Sequence, residues 1–169
     1  MGLTKKKINI FLFAVYSLSL ITSCKNNHCT EPMYAPMVVS FYSGQDTTKQ
    51  VSPPYLTIQG MGSDSLINAS GSNNANLPLK QAAGSSQFLF TIADGNSPVD
   101  GDPVLIQDTL TVIHTNTLDF VSAECGCLTT YHIEDAQFEQ NKIGTISIIN
   151  RSVTSNYNER HINIYLQNY

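Results

Sequence analysis

The chain has 169 residues, with 13 Asp and Glu against nine Lys and Arg, a net charge of −4 and only 13% charged side chains. No basic patch is present, which argues against nucleic acid as a partner. The length suits one domain with a real core, and Thr, Ser, Asn and Gln carry most of the polar surface.

The N-terminus has the three parts of a secretory signal. Lys5, Lys6 and Lys7 form a positive head. Residues 8–21 form an apolar stretch, and Ser19-Leu20-Ile21-Thr22-Ser23-Cys24 reads as a bacterial lipobox. A spanning helix needs about 20 predominantly apolar residues. This stretch is shorter and holds Asn9, Ser17 and Ser19, so a lipoprotein signal is the better reading. Residues 1–23 would be removed and Cys24 acylated. One acyl chain binds a membrane only marginally, and the two or three of a mature lipoprotein hold it there. Of the 169 residues, 146 remain; six basic residues then face 13 acidic ones, a net charge of −7.

Residues 24–36 are expected to be anchor and tether, and 37–169 a single domain. Strand patterns follow in order. Residues 38–42 are β-branched and aromatic, and 55–59 alternate up to Gly60. The Gly-, Ser- and Asn-rich stretch 60–86 contains Leu66-Ile67 and Leu77-Pro78-Leu79, read as short edge strands between turns. In 87–92, Phe88, Phe90 and Ile92 share a face. Loops are expected at Asp94-Gly95-Asn96 and Asp100-Gly101-Asp102. Strands are expected at 109–115 and 118–125, separated by a tight reversal at Asn116. The second would align Val121, Ala123 and Cys125. Further strands are expected at 128–133, 142–153 and 161–167, with a short helix at 135–140. In the last strand Ile162, Ile164 and Leu166 align. Alternation of this kind marks half-buried antiparallel strands. The fold class expected is therefore all-β, an antiparallel β-sandwich of about seven or eight short strands.

With Cys24 committed to lipid, Cys29, Cys125 and Cys127 remain, and an exported compartment favours disulfides. Cys29 pairs naturally with Cys125 or Cys127. A Cys125–Cys127 bridge would close a very small, strained ring. The order of lipobox, early Cys, a strand like 37–42, a Leu-Pro-Leu segment and Phe120-Val121-Ser122-Ala123-Glu124-Cys125-Gly126 resembles a family of small Bacteroidetes lipoproteins known only as a domain of unknown function. The resemblance implies a Cys29–Cys125 disulfide and makes Cys127 an extra cysteine, either a free, buried thiol or an alternative partner for Cys29. It implies no activity.

Three tripeptides, Asp46-Thr47-Thr48, Asp64-Ser65-Leu66 and Asp108-Thr109-Leu110, are similar to the Bacteroidetes O-glycosylation acceptor, which makes Thr47, Ser65 and Thr109 candidate glycan carriers in exposed loops. Surface-exported lipoproteins of that group carry an acidic cluster after the lipidated Cys. Here Lys25-Asn26-Asn27-His28 follows and the first acid is Glu31, which favours the periplasmic face of the outer membrane over the cell surface.

No catalytic residues are assigned. Cys125, Cys127, His132, His28 and Cys29 match no closed zinc pattern. The Asp-Gly loops lack the ordered ligands of an EF-hand. Neither a nucleophile elbow nor a dinucleotide loop is present. No metal or cofactor is expected. His114 and His161 are expected to take surface or packing roles. The expected function is that of a lipid-anchored envelope protein, a structural or protein-interaction module whose partners are membrane lipid through Cys24 and an unidentified envelope protein or glycan. The alternatives are a glycan- or peptide-binding lipoprotein, marked by a Tyr-lined groove, and, third, an envelope enzyme.

Overall fold

Ten strands form two sheets that pack face to face among the described residues of the computed structural model, which are 34–94, 103–123, 125–156 and 158–169. These residues belong to the compact unit Glu31–Tyr169. The expected signal and lipidation site, with Cys24 and Cys29, fall outside the described residues, as do 95–102 of the Asp-Gly loops. The strands are β1 (Pro36–Ser43), β2 (Leu56–Gly60), β3 (Leu66–Asn68), β4 (Asn74–Pro78), β5 (Ser85–Ala93), β6 (Leu105–Ser122), β7 (Gly126–Phe138), β8 (Ile143–Ile148), β9 (Ser152–Val153) and β10 (Ile162–Leu166). One sheet has the order β4-β1-β10-β8 and the other β3-β2-β5-β6-β7-β9.

The expected sandwich is present, with one parallel pair. β1 runs parallel to β10, with Val39 opposite Ile162 and Phe41 opposite Ile164. Every residue of β1 is buried, which suits its nearly unbroken apolar run; strands covered on both faces read this way. The expected edge strands are edges: β3 closes one sheet and β4 the other, and Pro78 ends β4, where a missing N–H is tolerated.

One apolar cluster joins the sheets. Met37, Val39, Phe41, Leu77, Ile162 and Ile164 come from one side; Ile58, Phe88, Phe90, Leu110, Val112 and Ile133 come from the other. Full burial of each Leu, Ile or Phe contributes about 1.5–3 kcal/mol. Alternation predicted this face correctly for Phe88, Phe90 and Ile92 and for Ile162, Ile164 and Leu166.

Four local expectations are corrected. Asn116 makes no reversal: the segments around it are one strand, β6, because its amide is spent on a distant loop rather than on a turn. The strand expected at 118–125 stops at Ser122; Cys125 sits in the turn, its N–H donating to Ser122 Oγ at 3.0 Å, and Gly126 follows with φ +77°. No helix forms at 135–140, since β7 continues to Phe138 and pairs Ala136 with Val112 and Phe138 with Leu110. The single strand expected at 142–153 is two strands in different sheets. Between them the Ile149 N–H donates to the His161 carbonyl, and the Arg151 guanidinium donates to the carbonyls of Ile133 and Glu134. The total exceeds seven or eight; β9, of two residues, is too short to carry a periodic pattern.

Candidate functional site

The most organised polar group lies where β5 begins and β6 leaves the sandwich. Ser86 and His114 are 1% and 2% exposed, and Ser86 Oγ lies 2.9 Å from His114 Nε2. His114 Nδ1 lies 2.8 Å from Asn116 Oδ1. The surrounding bonds determine the tautomer. Asn116 Nδ2 donates to the carbonyls of Gln81 and Ala83, so its Oδ1 is the acceptor and His114 carries its proton on Nδ1. His114 Nε2 then accepts from the Ser86 hydroxyl. Ser86 Oγ itself accepts the Lys80 N–H at 2.8 Å.

A Ser–His–Asn relay of this form resembles an activated nucleophile. Its setting does something else. Every outer bond ends on residues 79–84: Lys80 N–H, the carbonyls of Gln81 and Ala83, and the Gly84 carbonyl, which accepts the His114 N–H at 3.0 Å. Tyr131 packs edge-on against the His114 ring at 5.3 Å and donates its hydroxyl to the Leu79 carbonyl at 3.1 Å. Burial holds that phenol above its usual range. The cluster thus fixes the β4–β5 connection to β6 and β7. Ser86 of this cluster also lines a cavity of about 290 Å³, together with Met61, Ile67, Phe88, Ser65 and Lys80 among others. Lys80 Nζ lies over the Gly62 turn at its mouth, 3.8 Å from where a Cβ on that glycine would stand. The sequence does not single out Ser86, and for His114 it suggests only a surface or packing role. The signal available was His114 and Asn116 two apart on one strand face.

Asp108, Lys142 and His161 Nδ1 also have internal partners. Asp108 is fully buried and accepts the N–H groups of Asn141, Lys142 and Ile143 at 2.9, 2.7 and 2.7 Å, capping the β7–β8 turn. Lys142 Nζ meets Asp94 Oδ1 at 2.7 Å and sits 4.9 Å from the Tyr169 ring centre. His161 Nδ1 accepts the Val38 N–H at 2.9 Å.

The sequence candidates are dispersed. Thr47 and Ser65 lie in exposed turns; Thr109 lies within β6, opposite Leu89, and not in a loop. Cys127 is a free, exposed cysteine at the start of β7, whereas Cys125 is not a free thiol. Tyr42 and Tyr165 pair at 5.6 Å, while Tyr34 lines a separate cavity with Thr129 and Tyr131. Tyr157 lies outside the described residues. Among the described residues no group of three or more His, Cys, Asp and Glu is placed to share a metal ion.

The other feature is the far end of β6 and β7. β5 pairs with β6 only as far as Ser85 opposite Ile113, and β9 meets β7 only at Tyr131 and His132. β6 and β7 pair onward alone to Ser122 opposite Gly126. On one face of this overhanging ribbon Leu118 is 67% and Phe120 72% exposed.

A protein-family model described as a family of unknown function (DUF6452) matches residues 55–166. No curated protein and no solved structure matches the chain.

Proposed function

Because the chain belongs to this family of unknown function, its role has to be read from its own residues, and we propose that it is a lipid-anchored protein of the bacterial cell envelope acting as a structural or protein-interaction module. The observation that carries the proposal is the lipobox: Lys5-Lys6-Lys7, the apolar stretch 8–21, and Ser23 before Cys24. Acylation at Cys24 would hold the domain at the outer membrane, on its periplasmic side given the absence of an early acidic cluster. The β-sandwich then offers edges at β3, β4 and β8 for strand addition by a partner. A Cys29–Cys125 bridge, and glycans on Thr47, Ser65 and Thr109, belong to the same proposal.

The buried polar groups support a structural role over an enzymatic one. Ser86, His114 and Asn116 direct their bonds to the loop they hold. A small-ligand reading has one supporting feature, the cavity with Lys80 at its mouth.

The test is Cys24→Ala in the native host, with an alkyne fatty acid supplied during growth. The wild-type chain takes up the label and stays with membranes through a high-salt wash, and the variant loses both. A variant that remains membrane-bound without label overturns the anchoring proposal.

A further inference from the structure

We propose that the overhanging β6–β7 ribbon lies on the lipid bilayer, with Leu118 and Phe120 in the acyl–headgroup boundary. This rests on the proposed anchoring at Cys24 and adds an orientation to it.

The ribbon has two unlike faces. Leu118 pairs with Thr129 and Phe120 with Cys127, so these four side chains share one face. That face continues the core-facing side of β6, on which His114 is buried, past the point where a second sheet covers it. Asp119 and Thr130 occupy the opposite face, where the threonine hydroxyl donates to the carboxylate at 2.8 Å. Among the described residues of the ribbon the carboxylate is thus on the side away from the apolar pair. The opposite face also carries Leu128, paired with Asp119 and buried, so the apolar side chains left open are Leu118 and Phe120, which can sit as shallowly in an interface as the apolar side of an interfacial helix.

The place of Tyr34 in the domain selects lipid as the occupant. Tyr34 and Thr129 line the same small cavity, so the polypeptide enters the domain beside the ribbon. Cys29 lies five residues before Tyr34 and Cys24 five before Cys29; each step of five residues reaches at most roughly 17–18 Å. Cys125, in the ribbon turn, is not a free thiol. A Cys29–Cys125 bridge would bring the acylated residue within one such step of the ribbon turn. The apolar face would then be the part of the domain held nearest the membrane, and a bilayer would cover it without a further protein.

The chain contains no Trp, so the substitution Phe120→Trp gives a single indole reporter in the full lipidated protein. The protein is reconstituted into phosphatidylethanolamine-rich vesicles in which ordinary lipid is replaced stepwise by lipid brominated near the headgroup end of its chains. The substitution Tyr55→Trp, on the body of the sandwich, is the control. The expected result is a blue-shifted emission from the ribbon indole that falls as brominated lipid rises, with no fall for the control indole. A ribbon indole that stays exposed to acrylamide and unaffected by brominated lipid, in protein that sediments with the vesicles, overturns this inference and leaves the anchoring intact. A ribbon indole shielded from acrylamide but not quenched by brominated lipid overturns it in favour of a protein partner. Failure of the lipidated preparation to sediment with vesicles overturns the anchoring itself, and this inference with it.

Discussion

Lys142 Nζ and Asp94 Oδ1 meet at 2.7 Å, although the lysine side chain is 1% exposed and the carboxylate 26%. The Tyr169 ring supplies a second partner for the ammonium. A buried charge that loses its counter-ion costs more than the pair contributes, whereas an apolar replacement of the buried partner is tolerated. Asp94→Asn should therefore destabilise by about 2–4 kcal/mol, reduced from the fully buried case by the exposure of the carboxylate. Lys142→Met should cost less. Urea unfolding of both variants checks this, and equal or reversed losses contradict it.

His161 gives the domain a pH dependence. Its Nδ1 accepts the Val38 N–H, so the proton sits on Nε2, which has no hydrogen-bond partner. Burial lowers its pKa below the usual 6.5, opposed by the Ser152 backbone, the Glu159 carboxylate and the Val38 backbone. The unfolded chain then binds a proton that the folded chain refuses, so stability rises with pH. The contribution is complete above pH 6.5 and is lost as pH falls below it toward the folded value. His161→Asn retains a side-chain oxygen near Nδ1 and removes the titration. Thermal melts between pH 7 and about pH 5 should fall less steeply for the variant than for the wild type.

The Ser86–His114–Asn116 relay is expected to act as a clamp. Asn116→Ala frees the carbonyls of Gln81 and Ala83 and leaves His114 Nδ1–H without its acceptor. An unsatisfied buried polar group costs about 1–3 kcal/mol. Limited proteolysis should accordingly cut first within 79–84 in this variant. A fluorophosphonate probe should leave Ser86 of the wild type unlabelled; labelling there would assign the relay a nucleophile.

The cysteines make a further prediction. Peptide mapping without reduction should recover Cys29 joined to Cys125, while iodoacetamide modifies Cys127 in the folded protein. Cys125→Ser should cost about 4–5 kcal/mol, as the loop closed runs from residue 29 to residue 125. The intact mass of the same sample also reads glycans on Thr47, Ser65 and Thr109. Bridging of Cys29 to Cys127 instead would separate this chain from the pairing the family resemblance implies.

Much of the sandwich is legible in the sequence because a half-buried strand writes its burial with period two. Phe88, Phe90 and Ile92, or Ile162, Ile164 and Leu166, need no distant information. The errors occur where a residue's partner is remote. Asn116 has turn chemistry, but here it bonds to a loop more than 30 residues earlier. Lys142 belongs to a type that is rarely buried, and only the folded chain brings Asp94 and Tyr169 to it. Leu118 and Phe120 alternate like core residues. Nothing local says that the opposing sheet ends before them.

The parallel seam between β1 and β10 bears on when the domain can fold. Val39 pairs with Ile162, so two central strands of the four-stranded sheet lie more than 110 residues apart in sequence. β4 and β8 are joined only through those two strands. Until 162–166 are free to pair, half the sandwich has no middle, and the apolar side of the larger sheet has nothing to close against. Closure across so many residues is entropically slow and comes late. The native core can thus close only after 162–166 have found 39–43 across the whole intervening chain, which makes this seam the slow step of folding.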